Sequence, residues 1–218
     1  PHFTELPLKY LTSADTTLGH RYGNHADRMI LLYSLLKSAG IHADWYLCNT
    51  DSVLNEVNEI YDNFPNTTHF TMFVLKIIHD GIPLYLTGNS NYSALGATVF
   101  DQHPILSINS GEIEKIEIKD ILKDLEQEEI NLTLKNNGDL IYDYLKIDQG
   151  VNYEDSKKMW TEMTPELRRR FHEELITTVA ENAVADGELI TEYEKYPGRT
   201  KFRAKASRYA VINDQYMY

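Results

Sequence analysis

Apolar positions along this chain change period at definite places, and those places mark its elements. Met29, Leu32, Leu36 and Ala39 recur at helical spacing, and Ile30, Tyr33 and Leu35 widen the apolar arc. The pattern predicts a helix over 24–39, with Asn24 as N-cap, Asp27 completing a box-like arrangement and Gly40 as the stop. A helix this apolar is expected to be buried on more than one side. Ahead of it, Thr12, Ser13 and Asp15 are candidate caps for a short helix leading towards Leu18. The runs IHADWYLCN (41–49) and HFTMFVLKII (69–78) are rich in branched and aromatic residues and read as strands. HDG (79–81) signals a hairpin turn, and IPLYLTG (82–88) returns as the partner strand. Residues 50–66 read as a short helix and a polar loop. SNYSALGATVF (90–100) reads as a loop entering a further short strand. PILSIN and GEIEKIEIK read as two more strands, with an open register where Ile113, Ile116 and Ile118 break the alternation.

The acidic stretch DILKDLEQEE (120–129) reads as solvated and sets a boundary between a domain over 1–125 and one over 126–218. Beyond it, INLTLKNNGDLIYDYLKID is two alternating runs around Asn137-Gly138, a hairpin signature. TPELRRRFHEELITTVAENA opens with Thr164 as cap and Pro165 at the first helical position. Its apolar stripe is Leu167, Phe171, Leu175 and Val179. Arg168, Arg169 and Arg170 flank it with partners expected one turn on, Arg169 with Glu173 and Arg170 with Glu174. ELITEYEKY and TKFRAKASRYAVI add two strands around Pro197-Gly198. The expected class is α+β: a buried helix on an antiparallel sheet, then a small α+β domain of hairpin, helix and strands.

The 218 residues are 42% hydrophobic, enough for one or two cores. A net charge of −12 repels phosphate backbones and argues against a nucleic-acid partner. No apolar run approaches the roughly 20 residues that a membrane span needs. The opening PHFTELPLKY carries no Met and no signal pattern, so an upstream domain of the same chain is expected. Cys48 is the one cysteine and lies on a predicted strand, where it reads as a small buried hydrophobe.

Three places invite a chemical reading. RYGNHAD (21–27) is a turn that feeds a helix start, where unpaired N–H groups and the helix dipole favour an anionic nucleophile. The residue there is His25. His69 opens a strand and is a candidate general base. YLTGNSNYSALG follows the hairpin, and the position expected to orient a histidine holds Thr87.

In this order the motifs resemble the transglutaminase-like superfamily over about residues 12–108. There the nucleophile turn reads Gly-Asp-Cys-x-Asp-Lys before a leucine-rich helix ending in Gly-Ile; here it reads Gly23-Asn24-His25-Ala26-Asp27-Arg28, then ILLYSLLKSAGI. Thr68-His69-Phe70 and TMFVLKI resemble the segment with the family's histidine. Tyr85-Leu86-Thr87-Gly88-Asn89 resembles the segment with its aspartate. The resemblance implies a papain-like core whose cysteine position is His25 and whose aspartate position is Thr87, with His69 kept. Imidazole cannot form the thioester that acyl transfer needs. The expectation is therefore a catalytically inactive transglutaminase-like module, without cofactor or metal. It would bind a peptide, protein or glycan in a cleft lined by Tyr22, His25, His69, Thr87 and Asn89. The resembled proteins are exported, which implies a periplasmic or cell-surface location.

Two alternatives keep chemistry in that cleft. In one, His25, Asp27 and His69 hold a metal, although Asp27 is better explained as a helix cap. His2, His20, His42, His79, His103 and His172 show no tight ligand spacing. In the other, His69 activates Thr87, Ser90 or Ser93 for hydrolysis and needs an orienting partner, which the sequence does not show.

Overall fold

The computed structural model describes residues 11–51, 67–88, 90–213 and 216–217. The chain is α+β, and it divides into two compact units, 1–123 and 124–218.

In the first unit Ser13 caps helix α1 (Ala14–His20) by accepting from the Thr16 N–H. Helix α2 (His25–Ser38) carries the expected Asn24–Asp27 capping box. Five antiparallel strands follow: β1 (Ala43–Asn49), β2 (Phe70–His79), β3 (Ile82–Leu86), β4 (Pro104–Ser107) and β5 (Ile113–Lys115), in the order β3-β2-β1-β4-β5. Asp80 and Gly81, both at positive φ, make the tight β2–β3 turn.

Both faces of this sheet are covered. On one, Met29, Leu32, Tyr33 and Leu36 of α2 pack on Ala43, Trp45, Phe73, Leu75, Ile77 and Leu84. On the other, Tyr46, Cys48, Val74, Tyr85 and Ile105 lie beneath Phe100, Ile116 and Ile118 from the connections. This explains why β1 and β2 read as continuous apolar runs rather than alternating ones.

Three expectations for this unit need correction. α2 is less deeply buried than expected: it packs on one sheet face and against α1, and Leu35 near its C-terminal end is half exposed. No strand forms at Thr98–Phe100. There the backbone is taken up by local turns, Ala97 N to Ala94 O and His103 N to Phe100 O, with Thr98 Oγ1 accepting from the Phe100 N–H. β5 ends at Lys115, because the Ile116 backbone turns to His103 and Gln102 and its side chain enters the core. The helix expected in 50–66 lies outside the described residues.

The second unit contains β6 (Leu125–Leu134), β7 (Leu140–Gln149), α3 (Gly150–Glu162), α4 (Pro165–Thr177), β8 (Ala183–Ala185), β9 (Ile190–Glu192) and β10 (Gly198–Ala206). β11 (Ile212–Asn213) and β12 (Tyr216–Met217) form a separate small pair. The main sheet runs β6-β7-β10-β8, with β9 also on β10. The Asn137-Gly138 hairpin pairs Leu134 with Leu140, and Thr164 caps α4 as expected. Ile176, Leu175 and Val179 pack on Tyr142, Tyr144, Phe202 and Ala204.

Here too the sequence reading needs correction. The acidic LEQEE segment is solvated as expected, but it is also the first half of a strand, β6, whose residues are all exposed. Arg169 pairs with Glu173 as expected and also with Glu166, whereas among the described residues Arg170 makes no ion pair with Glu174, and Arg168 turns to Thr191 and the face of Trp160. Helix α3 carried no sequence signal. Gln149 contributes no side-chain cap, and the Val151 N–H is satisfied instead by Asp124, far back in the chain. Asp148 is fully buried in this unit. It accepts from the Tyr193 hydroxyl, and Lys146 Nζ sits 3.4 Å from its other oxygen.

Candidate functional site

The start of α2 is held by short-range chemistry. Asp27 N–H donates to Asn24 Oδ1 at 2.9 Å, and Asn24 N–H to Asp27 Oδ2 at 3.1 Å. The other Asp27 oxygen accepts from the Thr12 N–H at 2.7 Å. Both oxygens of this buried carboxylate are therefore committed to backbone donors, which leaves it a cap rather than a metal ligand. Gly23 passes so close over it that an added Cβ would lie 2.8 Å from the Asp27 Cβ.

His25 is the first residue of α2, and its Nε2 lies 3.2 Å from the Phe73 carbonyl on β2. A carbonyl only accepts, so Nε2 carries the proton and Nδ1 keeps its lone pair. Burial holds the imidazole below its ordinary pKa; the bond to Phe73 opposes this and the nearby Arg28 charge reinforces it. His25 is thus a neutral ring hydrogen-bonded to the sheet.

His69 closes a 3-10 turn, Thr67–His69, just before β2. Its Nδ1 lies 3.1 Å from Asp51 Oδ2. Asp51 is positioned by a turn at the end of β1, where its N–H donates to Asn49 Oδ1 at 2.8 Å. The carboxylate beside His69 is therefore Asp51, which the sequence reading did not single out. The signal was faint: the Asn-x-Asp spacing of a side-chain turn at a strand end.

Phe73 stands four residues beyond His69, about 13 Å of strand rise. The contact that anchors His25 and the one that anchors His69 are thus at different levels of the sheet. Thr87, half-buried, follows β3, whose last pair with β2 is Leu86–Leu75. Continuing that register sets Gly88 level with Phe73. Gly88 has φ +61, and a Cβ there would meet Met29 Sδ at 2.7 Å, so this loop runs tight against α2. Tyr22 is 76% exposed, and its ring stacks on His20 in the turn between α1 and α2. Asn89 lies outside the described residues.

Cys48 is fully buried in β1, and burial pushes its thiol up to about 12. Its Sγ faces the Asn49 carbonyl. Among the described residues no three His, Cys, Asp or Glu side chains gather in a metal-holding group. No helix among them is long and apolar enough to cross a membrane.

Comparison of the chain with family models, with curated proteins and with solved structures returns no match.

Proposed function

We propose that the first unit is a catalytically inactive transglutaminase-like module, serving as a binding or structural domain of a larger, exported bacterial protein. The order of parts supports the reading: a capped helix start, then β1, then β2 opened by His69, then the hairpin that leads to Thr87. The observation that carries it is His25. At the helix position suited to a thiolate stands a neutral imidazole whose Nε2–H is given to the Phe73 carbonyl. The protein's one thiol is buried in a strand and is a poor nucleophile. A helix start without covalent chemistry suits noncovalent recognition of a peptide, protein or glycan. The test is intact-mass spectrometry after incubation with a glutamine-containing peptide and with an acyl thioester. The folded protein should stay unmodified; a stable acyl adduct on any residue would refute the reading.

The His69–Asp51 pair favours a second reading, a hydrolase in which His69 acts as base for a hydroxyl such as that of Thr87, Ser90 or Ser93. Fluorophosphonate labelling that disappears in His69→Ala would favour it over the first.

A further inference from the structure

A cavity of about 550 Å³ opens beside the α1–α2 turn. Arg21, Tyr22, Arg28, Leu31 and Asn91 line it. Arg21 is the C-cap of α1 and sits at φ 59, a left-handed conformation that L side chains adopt at some cost. Its N–H closes α1 on the Thr17 carbonyl, which leaves the guanidinium for the cavity wall. Arg28 enters from the first turn of α2. Neither guanidinium has an ion pair or a side-chain hydrogen bond among the described residues, whereas Arg169 and Arg203 are each paired with carboxylates. The nearest acid in sequence, Asp27, is occupied on both oxygens by backbone N–H groups. Two cations without counter-ions on one cavity stand out in a chain of net charge −12.

From this geometry we infer that the cavity binds the carboxylate of an acidic peptide segment, with Arg21 and Arg28 as the ion-pairing residues. Guanidinium groups present forked N–H donors that match a planar carboxylate. The exposed Tyr22 ring and Leu31 offer apolar contact to the carbon skeleton, and Asn91 offers an amide to its polar atoms. The buried Asp27 carboxylate beneath Gly23 repels negative charge, so a monoanion is favoured over a phosphate dianion. The inference rests on the noncovalent reading of the first unit and supplies its ligand class.

The test is a ¹⁵N-resolved NMR titration of the whole chain with four probes: acetyl-glutamate amide, acetyl-alanine with a free C-terminus, acetyl-glutamine amide and inorganic phosphate. A side-chain carboxylate and a chain terminus are separated by the first two. At least one of them should give saturable shifts centred on Arg21, Tyr22, Gly23, Arg28 and Asn91. The neutral amide should give none, and phosphate should bind more weakly. Arg21→Gln and Arg28→Gln should each weaken carboxylate binding on the order of tenfold, the loss expected for one charged hydrogen-bonding partner. Circular dichroism on the same samples establishes that both variants are folded. Absence of saturable shifts with both carboxylates, tighter binding of phosphate, or undiminished binding in folded Arg28→Gln would each overturn the inference. Such a result would leave the noncovalent reading of His25 intact, because adduct formation alone decides that.

Discussion

Both units are built on antiparallel sheets, yet the two sheets differ in how they are covered. The first lies between α2 and its own connections, and Cys48, Val74, Leu75 and Ile105 are fully buried from one side or the other. The second has helical cover on the Tyr142–Phe202 face, while β10 alternates buried and exposed positions, and β6 is exposed along its whole length. The difference explains the sequence patterns, continuous apolar runs in one sheet and period-two alternation in the other. It also predicts where each unit is vulnerable. Trp45 stands in β1 and Trp160 in α3, so single-tryptophan variants read the unfolding of the two units separately.

The largest effect is expected from a buried charge in the second unit. Asp148→Ala removes the fully buried carboxylate that accepts from the Tyr193 hydroxyl, leaving Lys146 to Glu126 and Tyr193 to Thr200, and should cost about 4 kcal/mol, within the range for a buried ionic group lost from its partners. The loss should appear in the Trp160 urea transition. Leu75→Ala should cost the first unit about 3 kcal/mol, a core truncation between two covered faces. The matching Leu132→Ala, at the exposed edge strand, should cost less than about 0.5 kcal/mol. Equal losses at Leu75 and Leu132 would break the contrast between the sheets.

A smaller effect separates the units by pH. Burial depresses the pKa of His25 in the first unit and of His172 in the second, where Glu173 opposes the shift. As pH falls through the ordinary histidine value of 6.5, the unfolded chain takes up protons that the folded chain resists. Both units should therefore lose stability below that point, and His25→Asn should flatten the loss in the first unit alone. The first unit has a further acid-sensitive group. Burial raises the Glu114 pKa, but hydrogen bonds from Lys76 and Tyr46 outweigh this and hold it below its ordinary 4.5. Its contribution is complete above 4.5 and is lost as pH falls through the depressed value. Urea midpoints measured across this range, with and without Glu114→Gln, check both statements.

What the sequence revealed was what local interactions decide. The α2 capping box spans four residues, Asn24 to Asp27, and the Asp80-Gly81 and Asn137-Gly138 turns are set by residues adjacent in the chain. What it concealed was set from a distance. The cap of α3 comes from Asp124, and the partner of His69 is Asp51, across the β1–β2 edge. The acidic start of β6 read as solvated because it is solvated; backbone pairing with β7, which side-chain polarity does not report, makes it a strand. The candidate site was legible as separate residues. That His25 meets Phe73 while His69 meets Asp51 depends on strand register, which no motif encodes.

The most direct test of the central claim is the alkylation rate of His25→Cys as a function of pH, with the modified peptide identified by mass spectrometry. If the start of α2 is a nucleophile position occupied by an imidazole, the introduced thiol should react in the folded protein with an apparent pKa below the free-thiol value of about 8.5. Cys48 should remain unmodified until the chain unfolds. An introduced thiol that is inert in the folded protein, or that titrates at or above the free-thiol value, would contradict the account.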